Sequence, residues 1–261
     1  MSAGHVPHTE GQISQNARFQ CREFKVRDLT IKAFVRNPDV QMECDREHFD
    51  FFWDSDIVGQ VIWEPSFILA EYVMDNRQSI SGKRVIELGS GVALPSIIAS
   101  SFADVSVASD NNASALALAE TAWSLNAEAL SQEQHNFQTK FIDWRKPVDE
   151  ALRGSFDYVL AADVIYTTGT ARPFLATAVS LLAEGTSPQV ILLHEQRRAI
   201  SADGGTENFD SSLQATLDLC SEFGLQYQQV PLSCFLAPGY TTTLPPERMA
   251  DIACYIFERE G

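Results

Sequence analysis

Positive charge is scarce in this chain. Lys and Arg number 19 against 35 Asp and Glu, giving a formal net charge of −16 over 261 residues. Affinity for a nucleic-acid backbone comes from Lys and Arg, so no nucleic-acid partner is expected. The same acidity permits a basic partner, such as a lysine-bearing protein surface. Cysteine is sparse and unpatterned: Cys21, Cys44, Cys220, Cys234 and Cys254 are odd in number, scattered, and form no C-x-x-C. That excludes a disulfide framework and fits reduced thiols inside a cell. The 5 histidines do not cluster, so no metal site is expected. Long hydrophobic runs are missing too. The opening "MSAGHVPHTEGQISQ" lacks the apolar core of a signal peptide, and no uninterrupted apolar stretch is long enough to span a bilayer. The expectation is a monomer in the cytoplasm, with the nucleus as an alternative and no membrane contact.

What is present is an apolar fraction of 45%, enough for a full core. Residues 1–16 are polar, small and aperiodic, which predicts a disordered tail. Residues 17–57 read as an extension. "FKVRDLTIKAFV" alternates like one strand or two paired in a hairpin, and "HFDFFWDSDIVGQVIW" is aromatic and acidic. From 58 to 261 the periods alternate. "PSFILAEYVMDN" reads as a helix with Pro65 in its first turn, "KRVIEL" as a buried strand, and "LPSIIASSF" as a short helix. "DVSVASD" is a strand ending at Asp110, and the helix after it is capped by Asn111 or Asn112. "NFQTKFIDW", "FDYVLAADVIY" and "QVILLHE" are further strands; "ARPFLATAVSLLAEG" is a helix ended by Gly185. The helix "FDSSLQATLDLCSEFG" precedes the last strands, "LQYQQVPL" and "DIACYIFER". These last two have no helix between them and are expected to pair antiparallel at one edge. Regular alternation predicts an α/β fold, a mostly parallel sheet with helices on both faces.

In such a sheet, ligands sit beyond the carboxyl ends of the strands. "ELGSG" follows the first core strand, where Gly89 and Gly91 allow a tight turn and close approach to a ligand. The dinucleotide fingerprint G-x-G-x-x-G is incomplete, because Leu94 takes the third position. Glu87 at the strand end would repel a pyrophosphate but can receive cationic or hydroxyl donors. S-adenosylmethionine offers an ammonium and a sulfonium. Asp110, about twenty residues past the loop, stands where a carboxylate accepts both ribose hydroxyls. Asp143 and Trp144 end the next strand, where either side chain can flank an adenine. Ala161 and Ala162 leave room for a cofactor, and Asp163 with Tyr166 supplies a carboxylate for an amine and an aromatic wall for a cation.

"VIWEPSFILAEYV", "GKRVIELGSGVALPSIIA", "FIDW" and "FDYVLAADVIY", in that order, resemble the family-16 seven-β-strand methyltransferases. These are S-adenosylmethionine-dependent enzymes that methylate lysines of chaperones, translation factors and similar proteins. The resemblance spans about Val58 to Phe257 and implies a Rossmann-like seven-stranded sheet. It also implies that Trp63 contacts the cofactor, that Glu87, Gly89, Ser90 and Gly91 form its loop, and that Asp110 holds the ribose. Trp144 would pack by the adenine, and Ala162 would touch the cofactor near the methyl. Asp163 and Tyr166 would form the D-x-x-Y pair facing the substrate amine. The chain departs from the pattern at Ala93, where a third glycine is usual, and at Glu64.

Other readings stay open on sequence. An arginine methyltransferase calls for paired glutamates, for which Glu64 and Glu195 are the candidates. A small-molecule N-methyltransferase needs a closed pocket. A catalytically silent interaction module would keep only the fold. Arg197 and Arg198 read as surface charges, or as contacts for an acidic stretch of a target.

Overall fold

The computed structural model of the protein describes residues 19–37, 58–130, 136–185, 187–197, 199–200, 206–207, 210–236 and 246–260. The expected tail over 1–16, most of the aromatic segment and Arg198 lie outside the described residues. The chain opens with β1 (Phe19–Val26) and β2 (Leu29–Arg36), a two-stranded antiparallel hairpin. Then come α1 (Glu64–Asp75), the short α2 (Arg77–Ile80), β3 (Arg84–Leu88), α3 (Leu94–Ala99), β4 (Val105–Asp110) and α4 (Ala113–Asn126). They are followed by β5 (Phe137–Phe141), β6 (Tyr158–Ala162), α5 (Thr168–Leu181), β7 (Gln189–Glu195) and the two-residue strands β8 (Ala199–Ile200) and β9 (Thr206–Glu207). The chain closes with α6 (Ser211–Leu219), β10 (Leu225–Val230), α7 (Pro246–Ala250) and β11 (Ile252–Arg259).

The central sheet has seven strands in the order β10-β11-β7-β6-β3-β4-β5. β3, β4, β5, β6 and β7 pair in parallel, while β11 runs antiparallel to both β7 and β10. Their side chains alternate between two cores, as a sheet covered on both faces requires. Val85, Leu160 and Ile191 face a core shared with Ile68 of α1, Ile97 of α3 and Ala119 of α4. Ile86, Val159 and Leu192 face the other, shared with Phe174 of α5 and Leu213 of α6. From β3 the chain winds outward to β4 and β5 and then returns to β6 on the other flank of β3. The strand order reverses there, and a crevice opens at the carboxyl ends of β3 and β6.

Two caps define helix starts. The Asn112 side chain accepts hydrogen bonds from the Ser114 and Ala115 amides at 2.9 and 3.0 Å, and so starts α4. Such a cap contributes about 1 kcal/mol. The Asp210 carboxylate caps α6 in the same way. α5 differs from its sequence expectation at both ends. It begins at Thr168, with Pro173 inside, and it stops at Leu181 rather than at Gly185. Its last carbonyls are taken from outside the helix. The Gly154 amide donates to Ser180, and the Ser155 and Phe156 amides donate to Leu181. With those acceptors satisfied, nothing requires a glycine cap. The last two strands are also not directly joined, since the five-residue α7 precedes β11.

The hairpin is tied to the main body at its tip and along its length. Arg27, in the left-handed region at the turn, pairs with Asp75 and Glu71 of α1. Asn126 of α4 bonds both the amide and the carbonyl of Lys32, at 2.8 and 2.7 Å. At the end of β2 the Arg36 amide donates to the Gln60 carbonyl at 2.9 Å, which fixes the segment leading to Trp63.

Candidate active site

The turn after β3 is built on positive φ. Gly89 and Gly91 stand at φ 64° and 52°, and Ala93 at 64°. A Cβ on Gly91 would lie 2.9 Å from the Gly59 carbonyl oxygen, and one on Gly89 would lie 2.7 Å from Val164 Cγ1. Both glycines are therefore required by space as well as by conformation. Ala93 takes the left-handed conformation without being a glycine, so the missing third glycine carries a strain of about 1–2 kcal/mol.

Two carboxylates face this turn. Glu87 is 1% exposed, and its Oε2 accepts from the Ser96 amide at 3.0 Å and the Ser96 hydroxyl at 2.6 Å. Burial pushes its pKa up to about 8, because these two hydrogen bonds only partly offset the lost solvent. Asp110, at the end of β4, accepts from the Gly91 amide and the Asn112 amide, both at 2.9 Å. Its pKa is also raised by burial. No salt bridge to either side chain is found among the described residues.

A cavity of about 1270 Å³ opens over this turn, and every residue assigned above to the cofactor or to the amine lines it. Trp63, 41% exposed, forms one rim and donates its indole N–H to the Val58 carbonyl at 3.2 Å. Trp144 forms a wall, packed edge-on against Phe174 at 5.5 Å. The Ser90 hydroxyl is buried and has no hydrogen-bond partner. An orphaned hydroxyl, two carboxylates without cations and an indole wall fit a ligand that carries an ammonium, hydroxyls and a flat ring. Asp143 contributes less than its position suggests. Arg145, with both Nε and Nη2 at 2.9 Å, engages its carboxylate and holds its pKa down at about 2.

The β6 side of the cavity is built differently. Asp163 is 3% exposed and sits at φ 54°, a strained conformation for a non-glycine residue. Its Oδ1 and Oδ2 receive Nη1 and Nη2 of Arg197 at 3.1 and 3.0 Å, a bidentate pair. The Glu195 amide adds a bond at 3.3 Å. His194, fully buried, places Nδ1 3.6 Å from Asp163 and Nε2 2.9 Å from Asp210. Burial works against the charge of Asp210, but bonds from His194, the Arg197 amide and Ser212 hold its carboxyl well below the usual range. Tyr166 is 46% exposed, and its ring lies under the Arg197 guanidinium at 5.3 Å. Even so, loss of solvent around the phenol, followed by the charge of Asp163, raises its pKa.

Arg197 is therefore no plain surface charge, and it was missed in the sequence together with His194 and Asp210. One signal was available: a buried carboxylate at the end of β6 needs a partner, and the neighbouring parallel strand β7 leads straight into "HEQRR". Glu195 is not free either, since Arg248 pairs with it. Glu64 does not line the cavity.

Comparison with known proteins gives the family. A family profile described as lysine methyltransferase matches residues 52–209. Protein N-lysine methyltransferase METTL21A of Xenopus tropicalis is 23% identical over 193 residues, covering 74% of this chain and 80% of its own length. Histone-arginine methyltransferase METTL23 of Homo sapiens is 25% identical over 204 residues, covering 77% of this chain and 98% of its own. The crystal structure of SMU.776 complexed with SAH superposes with a TM-score of 0.56 at 13% identity, covering 96% of this chain and 58% of that one. The chain belongs to the lysine methyltransferase family and is an S-adenosylmethionine-dependent methyltransferase.

Proposed function

We propose that the protein methylates the side-chain amine of a lysine on a protein substrate. The observation that carries this reading is a buried carboxylate, Asp163, beside a large cavity whose rim is formed by the half-exposed aromatics Trp63 and Tyr166. A long, flexible cationic side chain fits such an entrance. In this assignment the cofactor is held by Trp63, Glu87, Gly89, Ser90, Gly91, Asp110, Trp144 and Ala162. Asp110 takes the ribose, Trp144 the adenine, and Glu87 with Ser90 the polar tail. Asp163 and Tyr166 face the amine. Residues 58–261 form the methyltransferase domain, with the hairpin as a buttress to its entrance segment.

The cofactor supplies an activated methyl on a sulfonium. The protein must deliver a neutral nitrogen to it, and a lysine has a reference pKa of about 10.4. Passage between aromatic walls removes water and lowers that value. Asp163 orients the amine, and the proton leaves to water at the open mouth. An arginine target has less support, because a guanidinium grip calls for two glutamates and Glu64, the partner proposed for Glu195, does not line the cavity. We place the protein in the cytoplasm or nucleus, on the odd number and scattered spacing of its cysteines. Among the described residues, no helix is long and apolar enough to cross a membrane.

Incubation with radiolabelled S-adenosylmethionine and a cell extract tests the reading. Label in a protein band, released on acid hydrolysis as methyl-lysine, is expected. Methyl-arginine, or label in small molecules only, contradicts it.

A further inference from the structure

The acceptor subsite is already filled by the protein itself. Both Asp163 oxygens are engaged by one guanidinium, and that guanidinium lies on the face of Tyr166. These are the two contacts, a carboxylate and an aromatic face, that an incoming ammonium would make. The Arg197 side chain is 43% exposed, while the carboxylate beneath it is 3% exposed. The backbone is held independently of the side chain, because the Arg197 amide donates to Asp210 at 2.8 Å. The long side chain can leave Asp163 by rotating about its own bonds, with the backbone anchor intact.

We propose that Arg197 is a specificity-determining residue that occupies the acceptor subsite as an internal cation, so that the substrate side chain enters by exchanging one cation for another. The inference rests on the assignment of Asp163 and Tyr166 to the amine. The acceptor must arrive protonated to displace the guanidinium; its proton then leaves to water at the open mouth as the Arg197 side chain, still tethered beside the site, supplies the counter-charge to Asp163 again. A neutral side chain of equal length cannot take the place, since it would leave Asp163 buried without a counter-charge. Arg197 thus excludes neutral side chains and sets a threshold that every cationic one must overcome. The Glu195 amide donates to Asp163 at 3.3 Å, a backbone contact that stays in place while cations exchange in front of the carboxylate.

The first test does not depend on methylation. Binding of n-butylammonium, a bare lysine side chain, is measured by ligand-observed NMR on the full chain and on Arg197→Ala, both saturated with S-adenosylhomocysteine. Removing the competitor should tighten binding about three- to tenfold, the modest end for a half-exposed charge pair. Binding of the neutral n-butanol should not tighten by a similar factor. Equal or weaker n-butylammonium binding to Arg197→Ala overturns the proposal. Arg197→Lys, which keeps the charge but loses the bidentate grip, should fall between the two, and a cofactor-induced melting shift equal to wild type confirms that each variant is folded. The second test uses the labelled protein acceptor. Arg197→Ala should lower KM severalfold with kcat nearly unchanged, whereas a fall in kcat at unchanged KM makes Arg197 a mere support for Asp163 and overturns the proposal. If wild type labels no protein, the lysine reading fails, while the n-butylammonium result still decides the role of Arg197.

Discussion

The two halves of the cavity treat buried carboxylates in opposite ways. Beyond β3 and β4, Glu87 and Asp110 are held by backbone amides and a hydroxyl, and burial raises the pKa of both. Beyond β6 and β7, Asp163 is neutralised by Arg197, with the buried ring of His194, bonded to Asp210, packed beside it. The first half has negative charge in waiting and gains most from a cationic ligand. The second is already balanced, and a cation enters it only by replacing another. On the proposed assignment, the cofactor's cation belongs to the first half and the acceptor's to the second.

Substitutions at the two carboxylates should separate the halves. Asp163→Ala is expected to lower turnover by about a hundredfold or more while cofactor affinity, read by calorimetry, stays within a few-fold. Near-normal turnover breaks the division. Asp110→Ala should do the reverse and weaken cofactor binding by about ten- to a hundredfold, the scale of lost hydrogen bonds to a charged group. Unchanged affinity would remove Asp110 from the ribose.

The turn between the halves offers a finer contrast. Gly91→Ala adds a Cβ 2.9 Å from a backbone oxygen at positive φ, and should cost about 2 kcal/mol or more in a denaturant melt. Ala93→Gly relieves the same conformation at a residue that already bears it, and should stabilise by under about 1 kcal/mol. If both changes destabilise equally, the strain at Ala93 is absent.

A last contrast is a slope with pH. Glu87 titrates at about 8 in the fold against an ordinary value of 4.5. Between those values the folded protein binds more protons than the unfolded chain, so the stability of the cofactor-free protein should fall as pH rises through that window. Glu87→Gln should flatten the thermal-melt dependence, and an unchanged slope would assign it to other groups.

The cofactor half was largely legible in the sequence because its signals are local. Gly89, Gly91 and Asp110 stand at strand ends that the alternating pattern marks, and Asn112 is a cap one residue before its helix. The acceptor half was legible only at Asp163 and Tyr166. Its partner Arg197 lies 34 residues from Asp163, and only the adjacency of β6 and β7 brings them together. The end of α5 was misread for a similar reason, since amides of Gly154, Ser155 and Phe156, not a local glycine, terminate it. Local chemistry can be read along the chain, whereas compensation between distant charges needs the sheet order.

The most direct measurement is the number of protons released when S-adenosylmethionine binds at pH 7, obtained by calorimetry in two buffers of different ionisation enthalpy. The expected result is a release approaching about one proton, lost in Glu87→Gln, as a buried acid ionises to meet the incoming cation. The same binding enthalpy in both buffers, with wild-type affinity in Glu87→Gln, would contradict a cofactor site built on uncompensated carboxylates.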